Sequence, residues 1–230
     1  MEQKEVLCYG DSNTWGCIPR WEESDLPSER YDAHTRWPGA AAELLGPDYH
    51  IIEEGLGGRT TIYDRPEEPG RNGEAYLLPC LLSHRPLDLV VLMLGTNDLH
   101  RGIQPDRTRL GDGIRRLVGM VQSTPKCGRG NRPPRVLLLA PIPICPSAPD
   151  GRTLVYDKFL GDQGRALSLA FPKVYCQIAG ETGCWFLNAA DYAQASPADG
   201  IHFTLESHPR LGRGVAQAIR EIMNSGNDRP

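Results

Sequence analysis

Leu87-Asp88-Leu89-Val90-Val91-Leu92-Met93-Leu94 is the stretch that decides the fold. Apart from Asp88 it is apolar at odd and even positions alike, so a strand built from it is buried on both faces. Strands of that kind belong to parallel sheets covered by helices on each side, whereas half-exposed strands alternate. Arg135-Val136-Leu137-Leu138-Leu139-Ala140 repeats the pattern, and Val6-Leu7-Cys8-Tyr9 gives a shorter copy near the N-terminus. Two further strands are expected at His50–Glu53, after a turn at Gly46-Pro47-Asp48, and at Trp185–Leu187. Helical stretches lie between them at Trp37–Leu45, about Gly73–His84, Arg109–Gln122 and Lys158–Ala170. A last one, from about Glu206 to Met223, places Leu211, Val215, Ile219 and Ile222 at helical spacing. This alternation predicts an α/β fold, a three-layer α/β/α sandwich around a central parallel five-stranded sheet.

At 230 residues the chain reads as one domain. Its net charge of -4 and lack of a basic block give no support to a nucleic-acid surface. The longest uncharged apolar run, Leu89–Leu94, is far short of the roughly 20 residues that cross a bilayer, so no membrane partner is expected. Met1–Glu5 leads into the first strand without an apolar leader core, which favours a cytoplasmic location. The seven cysteines include no CxxC pair and are read as mostly free thiols. No HExxH pattern or closely spaced Cys/His cluster suggests a metal. Gly55-Leu56-Gly57-Gly58 lacks the lysine and glycine spacing of a nucleotide loop, so no cofactor is expected.

Three long irregular segments, Ile18–Arg36, Tyr63–Asn72 and Pro141–Thr153, leave strand or near-strand ends on the side where such sheets bind ligands. Gly226–Pro230 reads as a frayed tail. Ser12 stands at the exit of the first strand, and Asp199-Gly200-Ile201-His202 precedes the last helix. A hydroxyl nucleophile needs a base to take its proton and an acidic group to orient that base, and these residue types supply all three. Serine is also a common helix cap, which is the bland alternative for Ser12. His34, His50, His84 and His208 have no comparable partner in sequence and are read as surface or loop histidines. His100, just past Asn97 and Asp98, can line a pocket.

Gly10-Asp11-Ser12, Gly55-Leu56-Gly57, Gly95-Thr96-Asn97-Asp98 and Asp199-Gly200-Ile201-His202 occur in order, each at a strand exit or before the last helix. Together they resemble the SGNH (GDSL-type) hydrolases from Val6 to about Val215, and most of all the bacterial arylesterase and acyltransferase branch. The resemblance implies a flavodoxin-like sandwich, with Ser12 as nucleophile, His202 as base and Asp199 orienting the base. It implies an oxyanion hole from the N–H groups of Ser12 and Gly57 and the side-chain amide of Asn97. Gly57 has no side chain to keep a carbonyl from its N–H, and aimed donors of this kind are worth about 2.7–4 kcal/mol each. Asp11 is expected to tie down the Ser12 turn, and Asp98 to do likewise for Asn97.

Two departures from the family pattern bear on substrate range. Asn13 stands where many relatives carry leucine, and is expected on the pocket wall or in a hydrogen bond near it. Cys17 stands where close look-alikes often have tryptophan, which is expected to widen the acyl side without touching the triad. The expected activity is hydrolysis of small, short-chain (acetyl-type) esters, with acyl transfer to alcohols or peroxide as a variant. Deacetylation of sugars, with Arg20, Trp21, Glu22, Glu23 and Arg65 as polyol contacts, and a non-catalytic binding protein are the alternatives. Trp21, Leu26, Pro27 and Tyr31 in the segment 18–36, together with the look-alikes' assembly, suggest a homo-oligomer between a dimer and an octamer.

Overall fold

The computed structural model describes residues 2–21, 28–106, 109–146 and 154–225. Five strands, β1 (Lys4–Gly10), β2 (Tyr49–Gly55), β3 (Leu89–Met93), β4 (Arg135–Ala140) and β5 (Trp185–Asn188), pair throughout in parallel in the order β2-β1-β3-β4-β5. The helices are α1 (Ser12–Trp15), α2 (Trp37–Leu45), α3 (Gly73–Ser83), α4 (Asp112–Gln122), α5 (Leu154–Lys158), α6 (Gly161–Ser168), α7 (Phe171–Thr182) and α8 (Ser207–Asn224). From β1 the chain passes to one side of the sheet for β2 and returns to the other for β3. That reversal opens a crevice at the carboxyl ends of the strands.

Strand periodicity divides the core into two layers. Leu7, Tyr9, Val90, Leu92, Val136 and Leu138 face α3, α4, α6 and α7, while Val6, Cys8, Val91, Met93, Leu137 and Leu139 face α2 and α8. Leu211, Val215, Ile219 and Ile222 of α8 are fully buried against the sheet. Each such side chain contributes about 1.5–3 kcal/mol, so α8 is held firmly behind the loop that precedes it.

The helical layer differs from the sequence reading in three places. The helix expected at 158–170 starts only at Gly161, as α6, because Leu160 and Gly161 adopt left-handed backbone, at φ 65° and 53°, and separate it from α5. The helix expected from Arg109 starts at Asp112, after Gly111 at φ 96°. Helix α7 was not anticipated, yet Phe171, Tyr175 and Ile178 form a buried helical stripe. Residues 22–27, 147–153 and 226–230 lie outside the described residues, so the expectations placed on Glu22, Glu23, Leu26, Pro27, the end of the 141–153 segment and the tail have no structural counterpart here.

Candidate active site

Ser12 opens α1 immediately beyond β1. It does not cap that helix: Asp11 does, with its carboxylate accepting the N–H of Asn13 at 3.0 Å. As the first residue of a helix, Ser12 has an N–H with no intrahelical acceptor and directs it outward. Its Oγ lies 2.9 Å from Nε2 of His202, and Nδ1 of that ring lies 2.6 Å from Oδ2 of Asp199. The other carboxylate oxygen of Asp199 accepts the N–H groups of Ile201 at 3.1 Å and His202 at 3.0 Å. His202 is fixed on its far side too, its carbonyl accepting the N–H of Ser196 at 2.7 Å.

The electrostatics follow from this wiring. Burial alone would raise the Asp199 pKa, but its bonds to the His202 ring and to the two N–H groups hold the carboxylate below its usual range. For His202 burial works to lower the pKa, and Asp199 together with the nearby Cys17 sulfur more than reverses it, leaving the imidazole above its usual range. Cys17, expected on the pocket wall, lines the cleft together with Ser12 and His202, and its sulfur donates toward the carbonyl of Ile18 at 3.7 Å.

Asn13 does not join the pocket wall. It is buried, donating from Nδ2 to the carbonyl of Ile201 at 3.0 Å and accepting the N–H of Phe203 at 2.9 Å. The two bonds bracket His202 and fix the segment that carries it.

Gly57 and Asn97 line the same cavity as Ser12 and His202, a cleft of about 870 Å³. A Cβ on Gly57 would meet nothing within 4 Å, because that direction opens into the cleft. Among the described residues its N–H donates to no acceptor. Asn97 sits in a short 3₁₀ turn (Thr96–Leu99) begun by Gly95 at φ 134°, where a Cβ would strike the Tyr175 hydroxyl. Its Nδ2 donates to the carbonyl of Arg59 at 3.0 Å and reaches Asp11 at 3.4 Å.

Asp98 ties down the Asn97 turn, as expected, and does so through Thr61. Its carboxylate accepts the N–H and hydroxyl of Thr61 at 2.8 and 2.6 Å, tying the Asn97 turn to the segment after β2. Burial pushes Asp98 up to about 7, partly offset by the Thr61 bonds, and Asp11 up to about 6, partly offset by its Asn13 N–H bond and the charges of His202 and Arg59.

Sequence reasoning assigned no role to Arg59, a buried cation that joins the strand ends. It donates to the carbonyls of Gly10, at 2.9 Å, and Glu54, and stacks 4.2 Å over the Tyr9 ring. Only its place in Gly57-Gly58-Arg59-Thr60-Thr61, directly after the candidate oxyanion glycine, hinted at this.

His208 was read as a surface or loop residue and is fully buried instead. Its Nδ1 accepts the N–H of Trp37 at 3.4 Å, between the rings of Tyr31 and Phe203. Burial, aided by the charges of His202 and Arg36, lowers its pKa to about 4.

The rim of the cleft is charged. Arg65 pairs with Glu67 and Glu68, both at 3.0 Å, and faces His100, whose ring packs on Phe159. Burial and the Arg65 charge lower the His100 pKa. Among the expected polyol contacts, Arg65 lines the cleft, while Arg20 pairs with Glu29 and Trp21 stands in solvent. None of the seven cysteines forms a disulfide. Contrary to the sequence reading, Cys80 and His84 do form a close Cys/His pair, joined by Glu54 outside the cleft.

A serine-bearing turn at the β1 exit, facing a histidine loop at a cleft by the strand ends, suits an α/β/α ester hydrolase. The chain belongs to the GDSL-like lipase/acylhydrolase family, whose pattern it matches over residues 8–209. It is similar to the aryl esterase of M. smegmatis, at 35% identity and TM-score 0.85, covering 95% of this chain and 99% of that one. It is also similar to a carbohydrate acetylesterase from Sinorhizobium meliloti, at 38% identity and TM-score 0.87, covering 96% and 100%. No match was found among curated protein sequences. The protein is a carboxylic ester hydrolase acting on a small-molecule ester. No described helix is long and apolar enough to cross a membrane.

Proposed function

We propose that the enzyme cleaves short-chain, acetyl-type esters by two-step acyl transfer through Ser12, His202 and Asp199. The observation that carries this reading is the continuous hydrogen-bonded run Ser12 Oγ–His202–Asp199 at the floor of the cleft. His202 takes the Ser12 proton, the alkoxide attacks the ester carbonyl, and the oxygen of the tetrahedral intermediate is received by the N–H groups of Ser12 and Gly57 and by Asn97. His202 returns the proton to the leaving alcohol. Water then resolves the acyl-enzyme, and an alcohol or peroxide in its place gives acyl transfer. A serine-reactive fluorophosphonate tests the reading. One adduct, mapped to Ser12, is expected in the folded protein, and an unlabelled Ser12 would return the protein to a non-catalytic role.

A second reading keeps the chemistry and makes an acetylated sugar the substrate. The charged rim of Arg65, Glu67, Glu68 and Arg71 favours it, since such groups suit hydroxyl-rich ligands better than aryl rings. Comparison of acetylated sugars with aryl acetates by kcat/KM separates the two. The exposed Trp21, in the aromatic- and proline-bearing segment 18–36, supports a homo-oligomer, for which light scattering must give at least twice the 25.4 kDa chain mass.

A further inference from the structure

Glu54, Cys80 and His84 lie outside the cleft, and neither the fold nor the proposed reaction uses their side chains as a group. Cys80 and His84 stand one turn apart at the end of α3, with the His84 N–H donating to the Cys80 carbonyl at 3.1 Å. That i, i+4 spacing puts both side chains on one helix face. Glu54, next to last in β2, meets them there: His84 Nε2 lies 2.8 Å from its Oε1. One ligand atom from each residue, a sulfur, an imidazole nitrogen and a carboxylate oxygen, fall within 4.8 Å of one another.

We propose that Glu54, Cys80 and His84 form a binding site for a thiophilic divalent cation of the zinc type. The donor set is the one such ions take, and tetrahedral bonds of about 2.0–2.3 Å bring the donors to about 3.5 Å apart, within side-chain adjustment of their present places. Cys80 is buried and forms the floor. His84 and Glu54 are 31% and 19% exposed, so a fourth position opens to solvent for water. The Tyr76 hydroxyl donates to Glu54 at 3.4 Å and orients the carboxylate from outside. On binding, the thiol S–H bond breaks and its proton passes to water as sulfur joins the metal. His84 moves its ring proton to Nδ1, freeing Nε2 for the metal. The Arg59 guanidinium, 5.5 Å over the Tyr76 ring, opposes a second cation, but thiolate and carboxylate together supply two negative charges. The bound ion clamps α3 to the exit of β2.

Cobalt(II) added to the full-length protein reports thiolate ligation directly. The wild type is expected to show one equivalent of bound cobalt with a sulfur-to-cobalt charge-transfer band in the near ultraviolet, displaced by zinc, and a melting temperature raised by zinc. His84→Ala, at a partly exposed position that leaves the core intact, and Glu54→Gln are expected to lose both signals. Cys17→Ser, at the cleft thiol, is expected to keep them. A wild type that shows no band, a band that survives His84→Ala, or one that vanishes with Cys17→Ser would overturn the proposal.

Discussion

Asn13 accepts the backbone N–H of Phe203 at 2.9 Å, although 190 residues separate them. With its second bond, to the carbonyl of Ile201, the side chain next to Ser12 grips the chain on both sides of His202. The separation of Ser12 and His202 is therefore held by a buried amide as well as by the packing of α8.

Asn13→Ala removes both bonds and leaves a buried N–H and a buried carbonyl unpaired. The expected cost is about 1–3 kcal/mol of stability. A misplaced base is expected to lower kcat on p-nitrophenyl acetate by up to about 100-fold, with little change in KM. Denaturant titration and steady-state kinetics measure the two effects. Unchanged kcat would show that His202 needs no such bracket.

The pH profile follows from the environment of His202. From sequence alone the rising limb would fall near an ordinary histidine value, about 6.5. Asp199 and Cys17 raise the imidazole pKa, so the neutral base is populated later and the limb lies on the alkaline side of that value. Cys17→Ala removes one cause and is expected to move the limb toward lower pH; Asp199→Asn moves it further at a much lower plateau. Coincident limbs in wild type and Cys17→Ala would show that the sulfur does not act on the ring.

His208 links the same region to acid stability. Its pKa is about 4 when folded and about 6.5 when unfolded. Between these values the unfolded chain binds a proton that the folded protein refuses, so this residue costs stability as pH falls from about 6.5 toward 4, by up to about 3 kcal/mol. His208→Gln keeps an acceptor for the Trp37 N–H and removes the titration. Its stability deficit against wild type is expected to shrink between pH 7.5 and 5 in urea unfolding. A constant deficit would contradict the burial argument.

The three central strands β1, β3 and β4 were legible because a strand covered on both faces must be apolar at consecutive positions, as Leu89–Met93 and Val136–Ala140 are. Ser12, Asp199 and His202 were legible as candidates because each stands at a chain junction, where a polar side chain has no structural duty to a core. What escaped the reading was tertiary. Nothing local marks His208 for burial, because the rings that enclose it come from Tyr31 and Phe203. Helix α7 was obscured by the Phe171-Pro172 start, which is tolerated only because proline at a first helical turn forfeits no needed N–H.

The central claim is that Ser12 is the nucleophile, and hydrolysis of p-nitrophenyl acetate by purified, folded Ser12→Ala tests it most directly. The loss is expected to be several orders of magnitude in kcat/KM, with a melting temperature close to wild type because the small hydroxyl faces the cleft. Activity within tenfold of wild type in the folded variant would contradict the account.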